Sequence, residues 1–318
     1  MKRLHTIIIM AMMYFCVYGQ IRTSVIIDND FSGDPDGLYA LAHLMSSTSV
    51  DVKAIVCSHL HEGENWSEPG VPAPVSGMKE VKKLQDAMNT DWSTITLPGS
   101  DVALADVNTP IASEGAKRIV EEALKHDSNN PLFVLAGGGL TEIASAWLLN
   151  HDIGSRIVLV WIGGEEYPGT IPTPREDPEY NTTIDIHASQ VVFNKSDIQV
   201  WQVPRNAYRL CLMSNAILAK RLGGSAIGRY LNSRLSQFIG QDKQAEAYVL
   251  GDNPLVLLSA LRSNWEPDAS SSVYEWRDRP AVLDNGRFQF GTNDSKVRVY
   301  RSLDTYLLFE DMFAKLKE

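Results

Sequence analysis

The sequence predicts an α/β fold: a mostly parallel, doubly wound open sheet with helices on both faces and a site at the carboxyl ends of the strands. Three observations carry this. Short β-rich apolar runs alternate with longer segments whose apolar residues recur every three to four positions. The composition, 44% hydrophobic and 21% charged over 318 residues, is that of a globular chain. A dense group of acids directly follows the first β-rich run, where open sheets of this kind bind ligands.

Residues 24–27 read as a strand, 38–45 as a helix and 52–57 as the next strand. Segments 75–88 and 114–125 show helical spacing, followed by a strand at 132–135, a helix at 140–149 and a strand at 157–162. Residues 188–193 read as a helix and 198–203 as a strand. Beyond them the balance shifts to helix, at 214–221, 227–237 and 254–261, and the chain closes with a β-rich stretch at 273–300 and a helix at 302–317. Two stretches rich in Pro, Gly and Glu, 59–74 and 168–178, are long loops, a common home for function.

The amino terminus belongs to a different category. Lys2 and Arg3 precede an apolar run at 6–17 that ends at Gly19, the pattern of a secretory signal. Residues 1–20 are expected to be removed, leaving 21–318 as one domain, exported to the periplasm or medium. No second apolar stretch approaches the ~18 residues of a membrane span. Cys16 leaves with the signal; Cys57, in an apolar run, reads as a buried structural thiol, and whether it pairs with Cys211 stays open. Twenty-nine basic against 39 acidic residues argue against nucleic acid or an anionic membrane as the main partner.

The acid group is Asp28-Asn29-Asp30-Phe31-Ser32-Gly33-Asp34-Pro35-Asp36-Gly37. Crowded carboxylates raise one another's pKa unless a cation neutralises them, and oxygen ligands in a flexible loop favour Ca²⁺ over Mg²⁺. Helix capping accounts for one or two of these acids, not four. An EF-hand reading fails because Tyr39 stands where a bidentate Glu is needed and a strand precedes the loop. An aspartyl phosphatase would require further motif residues that the sequence lacks.

The segment resembles the opening motif of the inosine–uridine-type nucleoside hydrolases: strand, Asp-x-Asp, glycine-containing loop, then acids opening a helix. Three further segments follow in that family's order. Residues 132–144, with Gly137-Gly138-Gly139 before Leu140-Thr141-Glu142-Ile143-Ala144, resemble its strand, glycine turn and helix. Gly163-Gly164 with Glu179-Tyr180-Asn181 and Asp185 resembles its sugar-binding stretch, Glu179 and Asn181 lying two apart so that on an extended segment both face one way. Gly251-Asp252-Asn253-Pro254 resembles its late acidic ligand. The likeness runs from about residue 24 to the end, and is weaker between 205 and 245.

The resemblance implies Ca²⁺-dependent hydrolysis of the N-glycosidic bond of a ribonucleoside or related riboside. Asp30, Asp34 or Asp36, Asp252 and the Gly137 carbonyl would hold the ion, with Asp30 as catalytic base. Asp28, Asp34, Asp36, Glu179, Asn181 and His61 are the expected substrate-binding residues, and Trp66, Tyr167 and Tyr180 candidate stacking partners for a base. Homo-oligomerisation is a family expectation. Two departures stand out: the usual adjacent acid pair is split by Pro35, and Gly251 stands where a relative carries a His that protonates the leaving base. A non-catalytic member that binds a ribose-like sugar is the alternative.

Overall fold

The computed structural model describes residues 22–240, 245–263 and 271–317; the expected signal segment, with Cys16, lies outside the described residues. In chain order the elements are β1 (Thr23–Asn29), α1 (Asp36–Met45), β2 (Val50–Cys57), α2 (Ala73–Ala87), β3 (Thr96–Pro98), α3 (Glu114–Ala123), β4 (Leu132–Ala136) and α4 (Thr141–Leu149). There follow β5 (Ile157–Ile162), α5 (Tyr180–Ile184), α6 (Ile186–Gln190), β6 (Gln199–Val203), α7 (Arg205–Tyr208), β7 (Leu212–Ser214), α8 (Asn215–Leu222) and α9 (Ala226–Ile239). The chain ends with β8 (Ala247–Val249), α10 (Pro254–Ser259), β9 (Val273–Asp278), β10 (Ala281–Val282), β11 (Phe288–Gln289), β12 (Lys296–Ser302) and α11 (Thr305–Leu316).

The main sheet has the order β3-β2-β1-β4-β5-β6-β12-β9. Every pairing is parallel except that of the edge strand β9 on β12. Alternation along β1 shows why helices cover both faces: Val25 and Ile27 enter one core, with α1 residues Leu38, Leu41 and Leu44, while Ile26 enters the other, with Ile119 and Ile143 of α3 and α4. The order reverses between β1 and β4, where one crossover runs left to β2 and the other right to β5. A crevice opens there at the carboxyl ends of the strands. Asp28 of β1 sits in register with Ala136 of β4, so the acid turn and the glycine turn lie side by side.

The α/β expectation holds, with local differences. β3 escapes detection by pattern because it is only three residues long and rides on the edge of β2. The helix expected at 188–193 is α6 up to Gln190 and then a wider π-type turn at Val191–Lys195, closed by Ser196 N–H to the Val191 carbonyl at 2.9 Å. Glu179 and Asn181, expected on one extended segment, are instead the N-cap and second residue of α5, because the Glu179 carboxylate accepts the Thr182 N–H at 3.1 Å and so starts a helical turn. Cys57 and Cys211 are both buried and free.

Asp185 ties the loops above the strands together. Its buried carboxylate accepts the Leu104 N–H (2.8 Å), the Thr141 hydroxyl (2.7 Å) and the Ala188 N–H (2.8 Å). Removing it would orphan three donors away from water. Asp185→Ala is therefore expected to lower the unfolding free energy by about 3 kcal/mol or more in urea denaturation. Asp278→Ala, which breaks only the exposed pair with Lys296, should cost less than about 1 kcal/mol. Equal effects from the two substitutions would contradict this account.

Candidate active site

The site is built from the ends of β1, β4 and β5 and from the turn before α10. Asn29, fully buried, points its amide across the crevice and donates to Asp252 Oδ2 at 2.8 Å. The chain then turns through Asp30, whose carbonyl accepts the Gly33 N–H at 2.7 Å. Asp36 opens α1, with Oδ1 accepting the Gly37 N–H (2.8 Å) and Oδ2 the Asp252 N–H (3.1 Å). The hydroxyl of Tyr248 donates to Asp34 Oδ2, which ties the short strand β8 to the acid turn.

The glycine turn enters from β4. The Gly137 N–H donates to the Asp28 carbonyl at 3.0 Å. Its own carbonyl accepts from Asn181 Nδ2 at 3.0 Å, and that amide also donates to the Ile162 carbonyl at 2.8 Å. Only glycine fits: a Cβ at residue 137 would stand 2.3 Å from Asn29 Nδ2 and 2.6 Å from Asp252 Oδ2. Glu179 Oε2 accepts the N–H of Gly164 (2.8 Å) and that of Thr182, while Oε1 accepts the Tyr208 hydroxyl (3.2 Å).

These groups line a cavity of about 440 Å³: Asp30, Asp34, Asp36, Asp252 and Glu179 with Asn181 and Gly137, beside the rings of Trp66, Tyr180, Tyr208, Phe238 and Tyr248. Among the described residues no Lys, Arg or His lines it. Burial first, then the charge of Asp252 and Asp34, holds the Asp30 carboxyl well above the usual range. Asp36 is raised in the same way, by burial and then by Asp252, Asp34 and Asp30. Burial pushes Asp252 up to about 8, the Asn29 amide working against that rise.

Nine expected site residues thus fall into two groups. Asp30, Asp34, Asp36, Gly137, Glu179, Asn181 and Asp252 meet in the cavity. Asp28 lies behind it, buried, and accepts the Ser58 hydroxyl; it supports the turn rather than facing a ligand. His61 lines a neighbouring cavity, with Nε2 3.0 Å from the Thr183 hydroxyl and its ring edge-on to Tyr180 at 4.5 Å. Asn29, Tyr208, Phe238 and Tyr248 were not foreseen. Asn29 alone carried a signal, as an amide between two acids at a strand end. Tyr208 and Phe238 come from the segment where the resemblance is weakest, and Tyr248 lies just beyond it.

Among the described residues no three Asp, Glu, His or Cys side chains are spaced as a closed metal shell. What the cavity offers a cation is donor chemistry: hard carboxylate oxygens and one main-chain carbonyl, with like charges crowded and no positive group among them. That donor set fits Ca²⁺ or Mg²⁺ and no soft metal.

A twisted parallel sheet with an acid-lined crevice at its switch point defines an α/β enzyme acting on a small polar molecule. The sequence profile described as inosine-uridine preferring nucleoside hydrolase matches residues 25–306, and the chain belongs to that family. It is a hydrolase acting on N-glycosyl bonds, with a small nucleoside as substrate. Solved structures share the fold at low identity. An inosine-guanosine nucleoside hydrolase superposes with a TM-score of 0.70 at 17% identity, covering 93% of this chain and 99% of its own. A purine-preferring ribonucleoside hydrolase from Gardnerella vaginalis gives 0.69 at 15%, covering 93% and 98%. A plant nucleoside hydrolase gives 0.68 at 15%, covering 93% and 99%. No curated protein sequence matches the chain.

The crowded carboxylates set a pH dependence for the ion-free protein. Asp252 titrates near 8 when folded and near 4 when unfolded, so within that window the folded state binds the extra proton. Its stabilising effect is complete below about pH 4 and is lost as pH rises through about 8. The melting temperature in chelator should fall from pH 5 to pH 8.5, and Ca²⁺ should raise it more at the higher pH. A flat profile without ion would contradict the geometry. Gly137→Ala should abolish hydrolysis with the fold retained by circular dichroism, whereas Gly224→Ala, with open space around it, should leave activity unchanged.

Proposed function

We propose that the chain hydrolyses the N-glycosidic bond of a ribonucleoside or close riboside in a Ca²⁺-dependent reaction, releasing base and ribose, and that it does so outside the cytoplasm after loss of residues 1–20. The supporting observation is the meeting of seven residues, from four separate stretches of chain, in one cavity at the switch point.

Asp30, one of Asp34 and Asp36, Asp252 and the Gly137 carbonyl would hold the ion. When bound, it would lower the pKa of a water and fix sugar hydroxyls. The remaining chemistry belongs to the chain. Asp30 is the acid best placed to take the water's proton: its side chain faces the cavity, and among the described residues no neighbouring side chain donates to it. The carboxylates around the sugar favour the positive charge that develops on the ring as the C–N bond breaks. Asn181 is held by two backbone carbonyls, so its amide oxygen is oriented for a hydroxyl. Glu179 Oε1, shared with Tyr208, offers a second acceptor. Trp66 and Phe238, 5.8 Å apart between ring centroids, form a wall on which a flat base stacks.

The test is ribose release from a panel of purine and pyrimidine nucleosides, with Ca²⁺ and with chelator. Asp30→Asn should lower kcat by about 10²–10⁴-fold, the range for loss of a general base. The split acid pair around Pro35 and the Gly251 position favour one alternative, a sugar-binding member without hydrolysis. Ca²⁺ binding with no ribose release from any nucleoside would decide for it.

A further inference from the structure

A second cavity, of about 450 Å³, adjoins the carboxylate cavity and shares Tyr180, Tyr208 and Val249 with it. Its character is opposite. Arg175, Arg205 and Arg209 line it against a single acid, Asp177, in a chain with a net charge of −10. Arg205 is 3% exposed and fixed: Nε and Nη2 fork onto Glu166 at 2.8 and 2.7 Å, and Nη1 donates to the Asp177 carbonyl at 3.1 Å. Arg175 forks onto Asp177 at 2.9 and 3.0 Å. Arg209 is exposed, and among the described residues its guanidinium makes no ion pair. One cation therefore stands in excess at the mouth of a pocket whose other cations are pre-positioned. Tyr180 and Thr183 also line this cavity.

We infer that this cavity takes a phosphate on the far carbon of the sugar, so that the substrate class extends to nucleoside 5′-monophosphates. The inference rests on the riboside reading above. A ribose seated on the carboxylates with its base against Trp66 and Phe238 directs its remaining substituent past Tyr208, whose hydroxyl is on Glu179 and whose ring borders both cavities. A phosphate monoester there meets planar guanidinium groups, the side chains best matched to it in shape and charge. The balance is simple. The water oxygen joins the anomeric carbon, the C–N bonding pair leaves with the base, and the water's proton ends on the base. The phosphate is unchanged and leaves on ribose 5-phosphate.

The experiment has two arms. In the first, kcat/KM is measured for a nucleoside and its 5′-monophosphate with the wild type and with Arg209→Ala and Arg175→Ala. The wild type should favour the monophosphate by roughly tenfold or more, the scale of one charge-assisted hydrogen bond. Arg209→Ala should remove most of that preference while changing nucleoside turnover less than about twofold. In the second arm, calorimetry compares ribose 5-phosphate with ribose on the wild type and on Arg209→Ala. Tighter binding of ribose 5-phosphate that Arg209→Ala removes supports the inference even when no nucleoside is cleaved, in which case the reaction assignment alone falls. Equal binding of the two sugars, or a monophosphate preference untouched by both substitutions, overturns it.

Discussion

The structure depends on holding four aspartates together, three of them buried, between the turn after β1 and the turn before α10. Each of Asp30, Asp36 and Asp252 is pushed upward first by desolvation; neighbouring charge follows, from Asp252 and Asp34 on Asp30 and Asp36, and from Asp34 and Glu179 on Asp252. Such an arrangement works against folding unless something else fixes it. The fixing elements are specific. Asn29 donates to Asp252, the Asp252 N–H donates to Asp36, and the Tyr248 hydroxyl donates to Asp34. The two glycines 37 and 137 leave the room that the Asn29 side chain needs, since a Cβ at either would stand within 3 Å of its amide. The rest of the fold supplies rigidity: β1 is fully buried over its last five residues and paired on both sides.

That rigidity explains how much was legible beforehand. Parallel strands buried on both faces read as continuous apolar runs, and helices over them as three-to-four spacing, so Ile157–Ile162 and Leu132–Ala136 stand out in the sequence. The acids after β1 were legible for the same reason that they are strained: no core explains so many charges there. Long-range geometry was not. Tyr208 and Tyr248 reach the cavity from elements of four and three residues whose local patterns carry no periodic signal, and Phe238 sits at the end of α9, whose helical spacing does not say which cavity it meets. Likewise Asp28 and His61 sit where strand ends predict function, yet side-chain direction turns one inward to Ser58 and the other into a neighbouring cavity.

Glu179 shows how one residue serves the fold and the site together. Read from sequence, it was a sugar ligand on an extended segment. In the structure one carboxylate oxygen caps α5 and holds Gly164, whose φ of +88° is a turn that side chains resist, while the other oxygen is left to Tyr208 and the cavity. Capping fixes the rotamer, and a fixed rotamer is what a binding acceptor requires.

The same logic separates the two adjoining cavities. A pocket whose charged groups, among the described residues, are all carboxylates attracts a cation and a neutral, hydroxyl-rich sugar but repels anions, whereas the guanidinium-lined cavity beside it favours them. Burying Arg205 on Glu166 is costly unless the pairing is complete, and here it is bidentate. Its partner loop is then locked through Asp177, which places Arg175 beside it and leaves Arg209 as the charge not neutralised by the protein. Opposite fields placed side by side, with Tyr180 and Tyr208 at the boundary, suit a ligand that is itself polar and neutral at one end and anionic at the other.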